Sequence, residues 1–313
     1  MIGEKRAAAA AGHEIAFFAD TKLDRAQKLA AKYGAAATAD WREVTAADVD
    51  IVVVATSHEM LSPISVSAVT QGKHVLVEKP AGLTVAEIAE IVSAAEKNKR
   101  YVKVGFNHRF HPGLLKAREI FDSGALGPLM FIRGRYGHGG RPGMEKEWRC
   151  KPELSGGGEL IDQGSHLVDL SRWFLGDLKL DYAATPALFW NIPVDDNCFL
   201  ALSTPTKQMA WLHASWSEWK NMFSFEIYGR DGKISIDGLG GSYGTEKITF
   251  YKMLPGMGPP ETTSWEFPFP DRSWNLEFAN FTAAIAQGVR PCGDIYDALA
   301  LHQIIDQAYG FRP

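Results

Sequence analysis

Ile51-Val52-Val53-Val54-Ala55 is an unbroken, mostly β-branched run with polar residues on either side. A strand that is apolar at every position has to be covered on both faces, as happens in parallel sheets flanked by helices. The surrounding chain repeats the theme. Pro63 to Gln71 reads as a helix stopped by Gly72, His74-Val75-Leu76-Val77 as the next strand, Val85 to Asn98 as a helix, and Tyr101 to Phe106 as another strand. Upstream, Glu14 to Ala19 reads as a strand ending at Asp20, and Leu23 to Tyr33 as a helix closed by Gly34, a C-cap residue that tolerates positive φ. Strand and helix alternating at this spacing predict an α/β domain of Rossmann type, a doubly wound parallel sheet with helices on both faces.

From Leu129 the period changes to two. Met130 to Tyr136, Met209 to Ser217, Phe223 to Tyr228, Gly232 to Asp237 and Lys247 to Tyr251 alternate and are joined by glycine-rich turns, so they predict an α+β domain with an open antiparallel sheet. Trp274 to Gly288 and Asp294 to Tyr309 read as two closing helices. The expected division is a nucleotide-binding domain over residues 1–107 and a substrate-binding and oligomerisation domain over 108–313.

In doubly wound sheets ligands bind outside the carboxyl ends of the strands. Asp20 stands at such an end, where a carboxylate can accept both ribose hydroxyls of an adenosine and would repel a 2′-phosphate. That favours NAD; Lys22 close by leaves NADP open, and a plain helix N-cap is the simpler role for Asp20. The glycine fingerprint that cradles pyrophosphate is met only by Gly3, in the position of the third glycine, which lets the first helix pack on the sheet. The first strand and two glycines of that fingerprint are not met, and the expectation is a start set about ten residues too far downstream, with a truncated variant that holds a dinucleotide poorly as the alternative.

Gly72 to Pro80 reads GKHVLVEKP, and Gly156 to Leu170 reads GGGELIDQGSHLVDL, a glycine-rich entry into a helix with Asp162 and His166 four residues apart and so on one face. Together these stretches resemble the two signatures of the Gfo/Idh/MocA oxidoreductases. The resemblance implies that Lys79 reaches the substrate beside the nicotinamide, with Glu78 and Pro80 forming a tight turn at the cofactor. A lysine at a strand's carboxyl end can stabilise charge on a reacting oxygen, and a carboxylate near an imidazole raises its basicity, as a general base requires. Lys79, Asp162 and His166 are therefore the candidate catalytic residues. Three further stretches match. Thr56-Ser57-His58 falls where the family carries a polar loop against the cofactor; Gly105-Phe106-Asn107-His108-Arg109-Phe110 resembles its crossover, placing Asn107 and Arg109 at the substrate; and Trp148-Arg149 precedes the glycine run. Arg149 offers a planar fork for a hydroxyl, phosphate or carboxylate. The resemblance also implies that the closing helices return to the first domain.

The expected activity is hydride transfer between a nicotinamide cofactor and a secondary alcohol of a sugar, polyol or nucleotide-sugar. Two alternatives stand beside it, an NAD-using glycosidase on the same fold and a non-catalytic ligand sensor. A formal net charge of −4 argues against nucleic acid as partner. Cys150, Cys198 and Cys292 match no metal spacing and read as free thiols of a cytoplasmic protein. No apolar run approaches the roughly 20 residues of a membrane span. Glycine loops at Gly137–Gly143 and Gly238–Gly244 read as substrate-side, and Trp211, Trp216, Trp219, Phe223 and Phe225 line either the sheet's core or a subunit interface of a homo-oligomer, dimer or tetramer.

Overall fold

The computed structural model describes residues 2–311, which divide into two compact units. The first takes in the chain up to Phe106 together with Trp274–Leu299; the second takes in Asn107–Ser273 and the residues from Ala300.

The first unit runs α1 (Ile2–Ala9), β1 (Phe17–Ala19), α2 (Leu23–Tyr33), β2 (Ala36–Thr38), α3 (Trp41–Ala46), β3 (Ile51–Val54), α4 (Leu61–Thr70), β4 (His74–Val77), α5 (Val85–Asn98) and β5 (Val102–Val104). Every strand pairing is parallel. The strands form two sheets, β1-β2 and β3-β4-β5, because among the described residues no strand joins β1 to β3. Strand β4 is central in its sheet and wholly buried at Val75, Leu76 and Val77, which explains a run with no polar face. Leu76 packs with Phe278, Phe281 and Ala10, and Ile51 and Val53 close around them. Helix α2 ends at Gly34, whose φ of 69° is the left-handed cap expected of it. Thr84 caps α5 by accepting from the Glu87 amide at 3.2 Å.

The second unit begins with α6 (Pro112–Asp122) and β6 (Leu129–Gly137), passes through a single turn α7 (Pro152–Ser155) and a π-helical turn (Leu160–Gly164) into α8 (Ser165–Leu175), and continues as β7 (Lys179–Ala184), β8 (Asn197–Ser203), β9 (Met209–Ser215), β10 (Met222–Gly229), β11 (Gly232–Asp237), β12 (Glu246–Lys252) and β13 (Glu261–Phe267). Helices α9 (Ser273–Gln287) and α10 (Ile295–Gly310) close the chain. The eight strands form one sheet in the order β13-β12-β11-β10-β6-β9-β8-β7. The expected antiparallel sheet is mixed: β6 and β9 run parallel, while the other pairings are antiparallel. The chain leaves β6, passes through α8 and the β7–β8 hairpin, and returns beside β6 in the same direction, a crossover that alternation alone does not reveal.

Helix α8 lies against β6 and β9. Leu167 and Leu170 of α8, with Ile132, Leu212 and Phe225 of the sheet, are all but completely buried. Gly134 sits under this contact, where an added Cβ would come within 3.0 Å of Leu212 and 3.1 Å of Leu167. The aromatic cluster divides: Trp216, Phe223 and Phe225 belong to the core, whereas Trp211 and Trp219 are 55% and 70% exposed.

Candidate functional site

In the first unit the candidate residues stand at the carboxyl ends of three parallel strands. Asp20 follows β1 and accepts from the Lys22 amide through Oδ1 at 2.9 Å, a tight turn ahead of α2, whose N-cap is Lys22. Beyond β3, Thr56 donates to the Ser57 carbonyl at 3.1 Å and Ser57 donates to Glu59 at 2.7 Å, while His58 is buried. Lys79 follows β4, part-buried, ahead of a cis peptide to Pro80.

Glu78 serves a different purpose from the one expected of it. It is buried and accepts from Arg6 Nε at 2.6 Å, and Arg6 also ion-pairs with Glu277. Lys103 completes the cluster, 3.9 Å from Glu277 and donating to the Cys292 carbonyl. The Arg6 guanidinium lies 4.4 Å over the ring of Trp274, and Gly105 leaves room for it, since a Cβ there would come 2.6 Å from Arg6 Nη2. Burial pushes the Glu78 carboxyl above its ordinary range, and the Arg6 charge opposes that shift. The residue before Lys79 is thus anchored in a buried ionic cluster (one cation on α1, another on β5) and its carboxylate is committed to protein.

These residues fit the two ends of a dinucleotide: a carboxylate for a ribose at the end of β1, and polar side chains at the ends of β3 and β4. The glycine expectation needs correction. A Cβ on Gly3 would meet nothing within 4 Å, so among the described residues no close packing requires glycine at that point of α1.

In the second unit His166, in the first turn of α8, is buried and stacks on His108, with ring centroids 3.6 Å apart and planes 17° from parallel. His108 is held from both ring nitrogens, by Tyr136 Oη at 3.2 Å and Asn107 Oδ1 at 3.3 Å, and Asn107 donates to Ser273 at 2.9 Å. Tyr136 packs edge-on against Tyr243, which accepts from Gln163 Nε2 at 2.8 Å. Burial drives the Tyr136 phenol well above its ordinary range and takes Tyr243 up to about 12, so both stay protonated. Asp162 lies in the π-helical turn just before α8, 3.4 Å from Arg149 Nε, and Arg149 rests 4.7 Å over Trp148. His138 accepts from the Gly140 amide at 2.9 Å; burial lowers its basicity and the Asp162 charge opposes that. The result is a cluster of imidazoles and neutral phenols with the Asp162 carboxylate and the Arg149 guanidinium, able to take up and hand on a proton while holding hydroxyl groups.

The structure brings together Asp162, Arg149 and Trp148, and places Asn107 behind His108. Arg109 is elsewhere: it is 4% exposed, and its fork closes on both oxygens of Asp169 at 2.6 and 2.9 Å, so it is an internal ion pair and not a substrate contact. Of the three glycines ahead of the helix, Gly157 and Gly158 are packed against protein. A Cβ on Gly157 would collide with the Tyr309 hydroxyl and one on Gly158 with the Asp195 backbone, so the close approach is to protein. The glycine loop at Gly238–Gly244 does reach the cluster, through Tyr243. Sequence motifs do not single out His108, Tyr136, Gln163, Tyr243 or Asp195, although His108 is enclosed in the Asn107–Arg109 motif, Gln163 in the Gly156–Leu170 motif and Tyr243 in the Gly238–Gly244 loop. A cavity of about 410 Å³ lies within this unit, lined among others by Gly157, Thr185, Val194, Asp195 and Tyr309, but not by His166 or Asp162.

The oxidoreductase family model with an NAD-binding Rossmann fold matches residues 1–106, and the C-terminal domain model of the GFO/IDH/MocA family matches residues 114–235. The chain belongs to this family of oxidoreductases, and its residues 1–106 match the family's NAD-binding module. It is similar to inositol 2-dehydrogenase of Salmonella typhimurium, with 24% identity over 289 residues, 90% of this chain and 81% of that one. It is similar to levoglucosan dehydrogenase of Pseudarthrobacter phenanthrenivorans, with 29% identity over 145 residues, 45% of this chain and only 37% of the relative. Among solved structures, levoglucosan dehydrogenase in complex with NADH shares the fold with a TM-score of 0.86 at 21% identity, covering 99% of this chain and 95% of that one. Among the described residues no helix is long and apolar enough to cross a membrane.

Proposed function

We propose that this chain transfers a hydride between a secondary alcohol carbon of a sugar, polyol or nucleotide-sugar and NAD. The observation that carries the reading is His166: a buried imidazole stacked on His108, one helical turn beyond Asp162, in a chain whose first module is NAD-binding. Relatives named for inositol and levoglucosan support a polyhydroxylated substrate.

Asp20 would hold the adenosine ribose, and the hydroxyls of Thr56 and Ser57 the neighbouring cofactor polar groups. When bound, NAD supplies the carbon that accepts the hydride. The His166 imidazole would take the hydroxyl proton of the substrate as the C–H bond breaks. Lys79 would donate a hydrogen bond to that oxygen and stabilise the charge growing on it. Asp162, already paired with Arg149, would hold an adjacent hydroxyl, which sets the ring for attack at one carbon only. The phenols of Tyr136 and Tyr243 stay neutral and would add no charge of their own beside His108 and Gln163. The domain division is read as one unit for the cofactor and one for the substrate. The outer face of the sheet carries exposed Met209 and Trp211 and the stacked pair Phe131–Tyr228, and supports assembly into a homo-oligomer; a cytoplasmic location accords with three free thiols.

The test is calorimetric titration with NAD and NADP, followed by absorbance at 340 nm with myo-inositol, levoglucosan and glucose. NAD is expected to bind more tightly than NADP, with the preference lost in Asp20→Ala, and turnover is expected to fall at least a hundredfold in His166→Asn. Failure of a folded protein to bind either cofactor would overturn the proposal. Cleavage of an aryl glycoside with no net change at 340 nm would replace it with a glycosidase.

A further inference from the structure

The geometry points to Asp195 and Tyr309 as positioning residues for the helix that bears Asp162 and His166, acting as a clamp on its first three amides; this rests on the proposed role of His166. A helix begins with N–H groups that have no partner within it, and they must be satisfied from outside. Here one residue from a distant loop satisfies three in succession. The Gly158 amide donates to Asp195 Oδ1 at 2.9 Å, the Glu159 amide to the Asp195 carbonyl at 2.9 Å, and the Leu160 amide to Asp195 Oδ2 at 2.8 Å. Gly158 then accepts from the Asp162 amide at 3.0 Å, so the clamp is one hydrogen bond from the candidate site.

Asp195 is itself locked. Tyr309, near the end of α10, donates to Oδ1 at 2.9 Å and accepts from the Gly158 amide at 3.3 Å. Asp195 is buried and Tyr309 part-buried, and burial holds the Tyr309 phenol well above its ordinary range, so it remains a donor. Burial also pushes the Asp195 carboxyl up, and the bonds from Leu160, Tyr309 and Gly158 oppose that shift. The clamp has tight tolerances, since neither Gly157 nor Gly158 has room for a Cβ. Downstream, the π-helical turn leads directly into the turn carrying His166, so a slip at Gly158 propagates to the stacked imidazoles. Catalytic geometry tolerates little of that: a displacement of about 1 Å can cost a hundredfold in rate.

Two conservative variants test the assignment. Asp195→Asn keeps the shape but turns an NH2 toward one of the two amides its carboxylate serves. Tyr309→Phe removes only the hydroxyl. With NAD and myo-inositol, kcat is expected to fall about 10- to 100-fold in Asp195→Asn and about 3- to 10-fold in Tyr309→Phe, with KM within about threefold of wild type. In protein labelled at histidine, the His166 ring resonances are expected to shift in both variants, with the far-ultraviolet circular dichroism unchanged. Unaltered kcat and unaltered His166 resonances in a folded Asp195→Asn would overturn the clamp. So would a fall in kcat that vanishes once activity is normalised to the folded fraction. If the wild-type chain turns over no polyol, the dehydrogenase reading fails, while the His166 resonances still decide the positioning role.

Discussion

Replacing Arg6 with methionine would remove the cation from a buried cluster and leave its two carboxylates behind. The volume is roughly conserved, so the cost is electrostatic. Glu277 would keep Lys103 at 3.9 Å, and Glu78 would keep the weaker pull of the Lys79 charge. Removing one member of a buried ion pair typically costs about 3–5 kcal/mol, because the remaining charge is uncompensated. At about 2–4 °C per kcal/mol for a domain of this size, the first unit should melt roughly 10 °C lower. The pH dependence gives the effect a signature. The Glu78 carboxyl is already raised by burial, and losing Arg6 raises it further. Between the ordinary glutamate value and the raised folded one, the native state binds more protons than the unfolded state, so stability falls as pH rises through that window. The deficit of Arg6→Met relative to wild type should therefore be largest near pH 7.5 and shrink toward pH 5. Scanning calorimetry at both values, with hydrogen exchange of the β4 amides to localise the transition, measures it. A deficit under about 1 kcal/mol at both pH values, or one that grows on acidification, would refute the reasoning.

Gly158→Ala should destabilise the second unit by about 1–3 kcal/mol and abolish turnover, because the new methyl competes with the Asp195 backbone for the same space; denaturant titration and a kcat measurement check both halves. Arg109→Met should cost about 3–5 kcal/mol by stranding buried Asp169, whereas the double change Arg109→Met with Asp169→Leu should recover most of that, as read by thermal unfolding. Cys198, whose thiol burial drives well above its ordinary range, should resist iodoacetamide at pH 8 in the native protein and react only in denaturant, which peptide mass spectrometry resolves.

What the sequence revealed depended on how local the determining interactions are. Helices α2 and α5 and strands β4 and β11 fall where their periodicity and caps place them, because their signals lie within a dozen residues. Strand β8 escaped because it is buried at nearly every position and shows no alternation, and β13 because it is an exposed edge with no apolar face. Helix α6 carried a readable mark, Pro112 at its first turn, that went unused. Lys79, Asp162 and His166 are legible as candidates because each sits in a compact motif. Arg6, Asp195 and Tyr309 are not, since their partners lie 72 to 271 positions away (Arg6) and 114 positions apart (Asp195 and Tyr309), and no periodicity links such residues. Arg109 is the opposite case: its place in a functional motif points to the ligand, whereas its burial pairs it with a carboxylate.

The first unit is built from two stretches of chain separated by some 167 residues of the other unit, and this orders events during synthesis. Arg6 leaves the ribosome 271 residues before Glu277. At about 5–20 residues per second, that is a wait of roughly 15–50 s. Throughout it Leu76 lacks Phe278 and Phe281, the residues that later cover it. The second unit can complete its sheet before the first has its full core. The nascent nucleotide-binding half is therefore the part that a chaperone would have to shield, and the last forty residues of the chain decide when that protection can end.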